Sequence, residues 1–225
     1  MSLSKLSSTV KVFIIGKTGN GKSLLGNSIL GREEFLVARS MRSTTVRLGK
    51  AVGFVNGQQI MILDTPDPVN LNLSDTEIKN EVTRWKSAVE GPYAILLAVR
   101  CDVRYTAEEY DIYMKIKRAW GDNAFTNRLV VVFTFGDRQD RDIHEELKTV
   151  CWELRNVLAD AGNCYVLFNN MARGSEMAAQ VGQLLNVIHR LDMKSAVSPI
   201  TQDKVLILFV LVVIFMTVVV YLTLR

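Results

Sequence analysis

Gly16-Lys17-Thr18-Gly19-Asn20-Gly21-Lys22-Ser23 has the spacing of a phosphate-binding loop and is the strongest indication of the fold in this sequence. It lies between an apolar run, Val10–Ile15, and an amphipathic stretch, Lys22–Leu30, which is the strand-loop-helix context that such a loop requires. Its glycines let backbone N–H groups point at phosphate oxygens, and the helix N-terminus adds positive potential. We expect Lys22 to reach the outer phosphates and Ser23 to bind Mg²⁺, with Leu24 completing the nucleotide-binding segment.

Further apolar runs alternate with helical patterns along the chain. The runs are 59–63, 93–99, 129–134 and 164–168. Their near-continuous apolarity is typical of parallel strands covered on both faces, so the sequence predicts a doubly wound, mostly parallel α/β sheet with ligands at the carboxyl ends of its strands. Residues 44–54 are expected to pair antiparallel with 59–63 through a turn at Asn56-Gly57.

Helical segments are marked by capping boxes and by apolar spacing. Ser74 and Thr106 each open a capping box, predicting helices to about Val89 and Trp120. Apolar residues at helical spacing predict two more helices, over 147–158 and 177–191.

A second unit is predicted at the C-terminus, where residues 205–224 carry no charge. About 20 such residues form a helix of about 30 Å, which matches the hydrocarbon core of a bilayer. A buried core helix is the alternative. The predicted organisation is a flexible N-terminus (1–9), a nucleotide domain (10–191), a linker (192–204) and a transmembrane anchor (205–224).

Flanking charges predict the orientation of that anchor. Arg190, Lys194 and Lys204 precede it and Arg225 follows it, which keeps the preceding domain cytosolic. The N-terminus lacks the apolar core of a secretory signal, so we expect a single-pass, tail-anchored protein, in the endoplasmic reticulum or a downstream compartment. The net charge of +4 suits an anionic membrane face, and no aromatic-basic patch indicates nucleic acid. The three cysteines are expected to be buried apolar residues.

Two segments after the phosphate loop are candidates for binding Mg²⁺. Asp64 opens the sequence Asp-Thr-Pro-Asp, ending at Asp67, directly after the run 59–63, where a carboxylate can hold Mg²⁺ through water. Within Ser43-Thr44-Thr45, one threonine can bind Mg²⁺ when a γ-phosphate is present, which would make this loop a switch. We favour Thr45 over Thr44.

Two loops at later strand ends are candidates for reading the base. Thr134-Phe135-Gly136-Asp137 follows the run 129–134, and the Asp137 carboxylate could accept from both N1–H and N2–H of guanine, which adenine does not offer. Asn169 and Asn170 follow the run 164–168 at a place suited to a backbone or amide contact with the base. Both motifs are also common turn sequences.

These motifs together resemble the immunity-associated GTPases (IMAP or AIG type), in the septin- and Toc-related branch. The most specific likeness is in two stretches, Gly91–Leu97 and Val103–Glu109, which are similar to the family's GPHAxLL and RFTxEE boxes. Phe168-Asn169-Asn170 resembles the family's FNN. The resemblance covers about residues 10–191 and implies a P-loop G domain specific for GTP and GDP, nucleotide-dependent dimerisation across the nucleotide face, and roles in lymphocyte survival or immune defence.

Departures from the general G-protein pattern bear on catalysis. Phe135 replaces the lysine whose stem usually covers guanine, Asp67 replaces a glycine, and no glutamine follows to orient a water. A carboxylate near the γ-phosphate makes slow hydrolysis the expectation. Arg104 is either an arginine finger that acts across a dimer or a solvated surface residue.

Three function classes therefore stay open: a slow membrane-bound GTPase switch, a GTP-bound membrane scaffold that barely hydrolyses, and a tail-anchored ATPase or kinase. The base-reading loop argues against the third.

Overall fold

The computed structural model describes residues 9–37, 45–89, 91 and 93–197, and the side chains of all of these except 123 and 192–197. One six-stranded sheet runs through them in the order β2-β3-β1-β4-β5-β6. Its strands are β1 (Val10–Ile15), β2 (Gly49–Val55), β3 (Gln58–Asp64), β4 (Ala94–Arg100), β5 (Leu129–Thr134) and β6 (Tyr165–Leu167). The β2 strand pairs antiparallel with β3, and the other pairs are parallel. The predicted mostly parallel α/β sheet is confirmed.

Helices cover both faces of the sheet. They are α1 (Lys22–Leu30), α2 (Asp75–Ser87), α3 (Ala107–Trp120), α4 (Asp122–Thr126), α5 (Ile143–Glu146), α6 (Trp152–Asp160) and α7 (Gly174–Val197). Alternate residues of each buried strand contact opposite layers. Phe13 of β1 packs with Trp85 of α2 and Trp120 of α3, whereas its neighbour Ile14 belongs to the cluster that contains Leu25 of α1 and Leu184 of α7.

Local signals that the sequence carries are realised as hydrogen bonds. In both capping boxes the N-cap hydroxyl accepts from the backbone N–H of a glutamate three residues later, and that glutamate accepts from the N-cap N–H; the pairs are Ser74 with Glu77 and Thr106 with Glu109. The β2–β3 hairpin turns at Asn56 and Gly57, both with positive φ, as a two-residue turn of type I′ requires.

The helix predicted over 147–158 is wrong in its first half. Residues 147–149 form a short 3₁₀ turn, and Val150 and Cys151 are extended, so that α6 begins only at Trp152. The apolar spacing across this break arises because Leu147, Val150, Cys151 and Leu154 all face the same core from two separate turns. The short helices α4 and α5 were not predicted.

The last helix is longer than the predicted one. The α7 helix continues past residue 191 to Val197, into the predicted linker. Met193 to Ala196 contain no helix-breaking residue, and the next breaker is Pro199, which disfavours helical geometry for the residue before it.

No helix within the described ranges is both long and apolar enough to cross a membrane. The predicted N-terminal segment up to residue 8, Ser43, Thr44 and the predicted anchor 205–224 lie outside those ranges.

Candidate functional site

The predicted phosphate loop connects β1 to α1 and packs closely on β4. Gly16 has φ +133°, and a Cβ there would lie 2.6 Å from the carbonyl oxygen of Ala98. Gly21 has φ +78°, and a Cβ there would lie 3.3 Å from Asn170 Nδ2 and 3.6 Å from the Phe135 ring. A side chain at either position would be strained and would meet a neighbouring atom closely. Because both residues are glycine, the loop backbone can pack against three neighbouring strand ends.

Lys22 lies in the first turn of α1 and is buried beneath this loop. Its Nζ donates to the carbonyl oxygens of Gly16 (2.8 Å) and Lys17 (3.1 Å). Burial lowers the pKa of Lys22, and the charges of Asp64 and Asp67 oppose that shift. The ammonium is therefore enclosed by the loop, at the position where a phosphate-binding lysine belongs.

Ser23, Thr45 and Asp64 bring three oxygens together next to Lys22. The Ser23 hydroxyl donates to Asp64 Oδ2 at 2.6 Å, and Thr45 Oγ1 lies 3.2 Å from both Ser23 Oγ and Asp64 Oδ2. Asp64 Oδ1 is buried and has no hydrogen-bond partner among the described residues. Burial raises the pKa of Asp64, while the bonds from Ser23 and Thr45 and the charge of Lys22 oppose the shift.

This oxygen set fits Mg²⁺, which prefers hydroxyl, carboxylate and water oxygens. The described residues contain no cluster of three or more histidine, cysteine, aspartate or glutamate side chains that could hold a metal. Two hydroxyls and one carboxylate with an unpaired buried oxygen are consistent with a cation that keeps several of its waters.

Asp67 follows this cluster and points back to the phosphate loop. It is 2% exposed, and its Oδ2 accepts from the backbone N–H of Thr18 at 2.7 Å. Its Oδ1 accepts from the N–H groups of Val69 (3.0 Å) and Asn70 (3.2 Å). The structure thus brings the predicted residues Thr18 and Asp67 into direct contact, across the site that holds Lys22.

Asn20 ties the phosphate loop to three other elements. Its Nδ2 donates to the Ala98 carbonyl and to Glu109 Oε1, both at 2.9 Å, and its own carbonyl accepts from Thr134 Oγ1 at 2.9 Å. Lys17 forms an ion pair with Glu108, at 2.5 Å. The two glutamates of α3 were not among the predicted site residues. In the sequence they stood out only through the capping box that Thr106 opens and through the family resemblance of the segment that contains them.

The predicted base-reading loop follows β5 and contacts two arginines and the end of β6. Phe135 has φ +60°, and its ring lies beneath the guanidinium groups of Arg100 (4.3 Å from Cζ to the ring centroid) and Arg138 (4.9 Å). A Cβ at Gly136 would lie 3.1 Å from the backbone of Phe168, which brings this loop against the end of β6. Asp137 is exposed at the surface beside this ring.

The two predicted asparagines after β6 differ in their surroundings. The Asn169 side chain accepts from the N–H groups of Met171 (2.7 Å) and Ala172 (3.1 Å), so it shapes the turn into α7. Asn170 is 4% exposed and lies against Gly21, and its Oδ1 has no partner among the described residues. Of the pair, Asn170 is the one whose amide faces the other predicted site residues.

Arg104 lies in the loop between β4 and α3, outside this cluster. It is exposed and makes no hydrogen bond or ion pair within the described ranges. It borders a cavity of about 590 Å³ together with Val103, Tyr105 and Cys151. Its guanidinium is thus accessible at the surface and unpaired among the described residues.

Comparisons with known proteins agree with this geometry. The model of the AIG1 family matches residues 10–206. Immune-associated nucleotide-binding protein 9 of Arabidopsis thaliana is 35% identical over 182 residues, which are 78% of this chain and 53% of that protein. GTPase IMAP family member 8 of Mus musculus is 30% identical over 184 residues, 81% of this chain and 25% of that protein. The chain spans about half or less of the length of these curated relatives.

Solved structures share the fold at lower identity. Toc33 from Arabidopsis thaliana in complex with Mg²⁺ and GMPPNP superposes with a TM-score of 0.63 at 19% identity, over 83% of this chain and 85% of that one. A dimerisation-deficient arginine-to-alanine mutant of Toc33 also gives 0.63, at 18% identity over 81% and 84%. Because the family model spans nearly all of the described residues, the resemblance seen in the sequence is confirmed: the chain belongs to the AIG1 family.

Proposed function

We propose that this chain is a guanine-nucleotide-binding switch that holds GTP or GDP with Mg²⁺, pairs through its nucleotide face, and hydrolyses GTP slowly. The observation that carries the proposal is the convergence of Ser23, Thr45 and Asp64 beside the buried Lys22, under a glycine-dependent phosphate loop. In such a site Mg²⁺ neutralises charge on the phosphates.

Each residue of this cluster has a distinct task. The loop N–H groups and Lys22 bind phosphate oxygens, and Ser23 and Asp64 hold the cation directly or through water. Thr45 follows the segment 38–44 and reaches the same oxygens, so its contact with the cation can report whether a third phosphate is present. This dependence is what makes the loop before β2 the proposed switch.

Base selection falls to the loops after β5 and β6. The exposed Asp137 carboxylate can accept from N1–H and N2–H of guanine, and the buried Asn170 Oδ1 leaves an acceptor unsatisfied nearby. The Phe135 ring, fixed under two guanidinium groups, offers a flat apolar surface in place of a lysine stem. Adenine lacks the two donors, so GTP is preferred over ATP.

Slow hydrolysis follows from the residues near the phosphates. No glutamine stands between Asp67 and Ser74 to orient a water, and a carboxylate occupies position 67. Arg104 of a second copy would then supply the positive charge that the site lacks, a contribution of roughly 10³–10⁵ in rate in other G proteins. The dimerisation-deficient arginine mutant of the Toc33 neighbour supports an arginine role at such an interface.

A second candidate is a membrane scaffold that binds GTP, assembles and barely hydrolyses it. The missing glutamine and the buried Asp67 favour it. In either case we propose that residues 205–224 anchor the protein in a membrane, with the nucleotide domain on the cytosolic side, in the endoplasmic reticulum or a compartment downstream of it. The family's immune associations make host defence the proposed setting.

Nucleotide choice is tested by displacing fluorescent GDP from the full chain in non-ionic detergent. We expect GTP and GDP to compete and ATP not to, and Lys22→Ala to lose binding while the exposed Lys79→Ala does not. Asp137→Asn should weaken guanine binding and favour xanthine, whose O2 can accept from the new amide, with Asp140→Asn unchanged. Equal competition by ATP would exclude the guanine assignment.

Dimer activation is tested by measuring phosphate release and molecular mass together at several protein concentrations. We expect turnover per molecule to rise with concentration and to fall in Arg104→Ala, whereas Arg118→Ala, an exposed arginine at the other end of α3, keeps the wild-type rate. Tight GTP binding and assembly with negligible phosphate release would favour the scaffold.

A further inference from the structure

Asp67 makes contacts that a loop residue does not need for its own turn. Oδ1 accepts from the N–H groups of Val69 and Asn70 and alone completes the turn after β3. Oδ2 instead reaches the phosphate loop and accepts from Thr18 N–H at 2.7 Å. The carboxylate is 2% exposed, so both bonds form away from water.

The second bond occupies a donor that belongs to the phosphate cradle. Backbone N–H groups of such a loop serve to bind anionic oxygens. The Thr18 hydroxyl beside it is buried without a partner in the described structure. Burial lowers the pKa of Lys22, and the charge of Asp67 is among those that oppose this shift. The carboxylate therefore supplies one negative charge to the cradle from within the protein.

A negative charge in this place distinguishes the two nucleotides. GTP brings more negative charge than GDP to the outer end of the site, and the Asp67 carboxylate repels it through a poorly screened medium. GTP also competes with Asp67 for the Thr18 N–H, whereas GDP, which lacks the third phosphate, leaves the Asp67–Thr18 bond in place.

We propose that Asp67 is a specificity-determining residue that biases the site toward GDP. Its carboxylate takes the place of a terminal phosphate in the phosphate cradle. This inference rests on the proposed guanine-nucleotide binding. GTP then binds only when the Asp67–Thr18 bond breaks and the segment after Asp67 moves, which couples that segment to the nucleotide state.

The experiment compares the dissociation constants of fluorescent GDP and fluorescent GMPPNP, with Mg²⁺, on the full chain in detergent. Asp67→Asn keeps Oδ1 for the turn but removes the charge and sets an amide donor against Thr18 N–H. Asp67→Gly removes the turn acceptor as well. Asp75→Asn, an exposed carboxyl at the start of α2, is the matched control.

We expect the wild type to bind GDP more tightly than GMPPNP. In Asp67→Asn the ratio of the GMPPNP dissociation constant to the GDP dissociation constant should fall about tenfold or more, mainly because GMPPNP binds more tightly. Asp67→Gly should act in the same direction, and Asp75→Asn should leave the ratio unchanged. Amide hydrogen exchange at Thr18 is expected to be slow with GDP in the wild type and faster in Asp67→Asn.

One result would overturn the inference while sparing the proposed function. It is an unchanged ratio of the two dissociation constants in a folded Asp67→Asn protein, including the case in which both nucleotides bind equally more weakly, as a purely structural role would produce. If the wild type bound neither nucleotide, the proposed function and this inference would both fail, so the two failures are distinguishable.

Discussion

Asn20→Ala is the substitution with the most calculable effect, because the side chain joins the phosphate loop to β4 and α3. Its Nδ2 donates to two buried acceptors, the Ala98 carbonyl and Glu109 Oε1, both at 2.9 Å. Asn20 is 4% exposed and Glu109 is 7% exposed, so water does not readily replace the lost donor. Glu109 Oε2 keeps its bonds from Thr106, whereas Oε1 has no other hydrogen-bond partner among the described residues.

The magnitude follows from these two bonds. A hydrogen bond to a charged group contributes about 1.5–3 kcal/mol and one to a neutral carbonyl about 0.5–1.5 kcal/mol. Asn20→Ala should therefore lower the free energy of unfolding by about 2–4 kcal/mol, a large share of the roughly 5–15 kcal/mol typical of a domain. Asn80→Ala, at an exposed position of α2, should change it by less than about 0.5 kcal/mol.

The assay is urea unfolding of the full chain in non-ionic detergent, followed by the fluorescence of the buried Trp85 and Trp120. A double-mutant cycle with Glu109→Ala isolates the coupling free energy between Asn20 and Glu109, which we expect to be about 1–2 kcal/mol. A loss below about 1 kcal/mol for Asn20→Ala, or additive effects of the two single substitutions, would show that this pair does not hold the phosphate loop.

Three further outcomes are expected. Tyr113→Phe removes the phenol that donates to Asp160 at 2.6 Å and should cost about 1–2 kcal/mol in the same unfolding assay. The hydrogen bonds from Arg100 lower the pKa of Asp102 in the folded protein. The stability that they contribute is therefore present above the ordinary aspartate pKa and is lost as pH falls through the lower folded pKa. In Asp102→Asn the free energy of unfolding should accordingly fall less steeply at acid pH. Asp64→Asn should reduce the Mg²⁺-dependent gain in GDP affinity at least tenfold, measured by Mg²⁺ titration, with the Mg²⁺-free affinity changed little.

Elements with a local physical cause could be predicted from the sequence. The strand runs are continuous and apolar because both faces of the sheet are covered, and the bounds of β1, β5 and α1 coincide with the predicted runs. The capping boxes at Ser74 and Thr106 need only four consecutive residues to form. Such signals do not depend on where the rest of the chain lies.

Features that depend on contacts between distant segments could not be predicted in this way. The break at Val150 and Cys151 has no glycine or proline, and apolar residues from two separate turns imitate one helical face. Asn169 and Asn170 are adjacent and chemically identical, yet one shapes the turn and the other lies against Gly21. Their different roles arise only when distant segments of the chain fold around the site.

Contacts between distant segments also link the phosphate loop to the loop that carries Arg104. Lys17 and Asn20 of the phosphate loop bind the consecutive carboxylates Glu108 and Glu109. Glu109 in turn caps α3 by accepting from Thr106, two residues after Arg104. A shift of the phosphate loop must therefore either break these bonds or carry the start of α3 with it. Arg104 is exposed and unpaired in the described structure, so under the proposed dimer mechanism these bonds are a short physical path from the nucleotide to the position of its guanidinium.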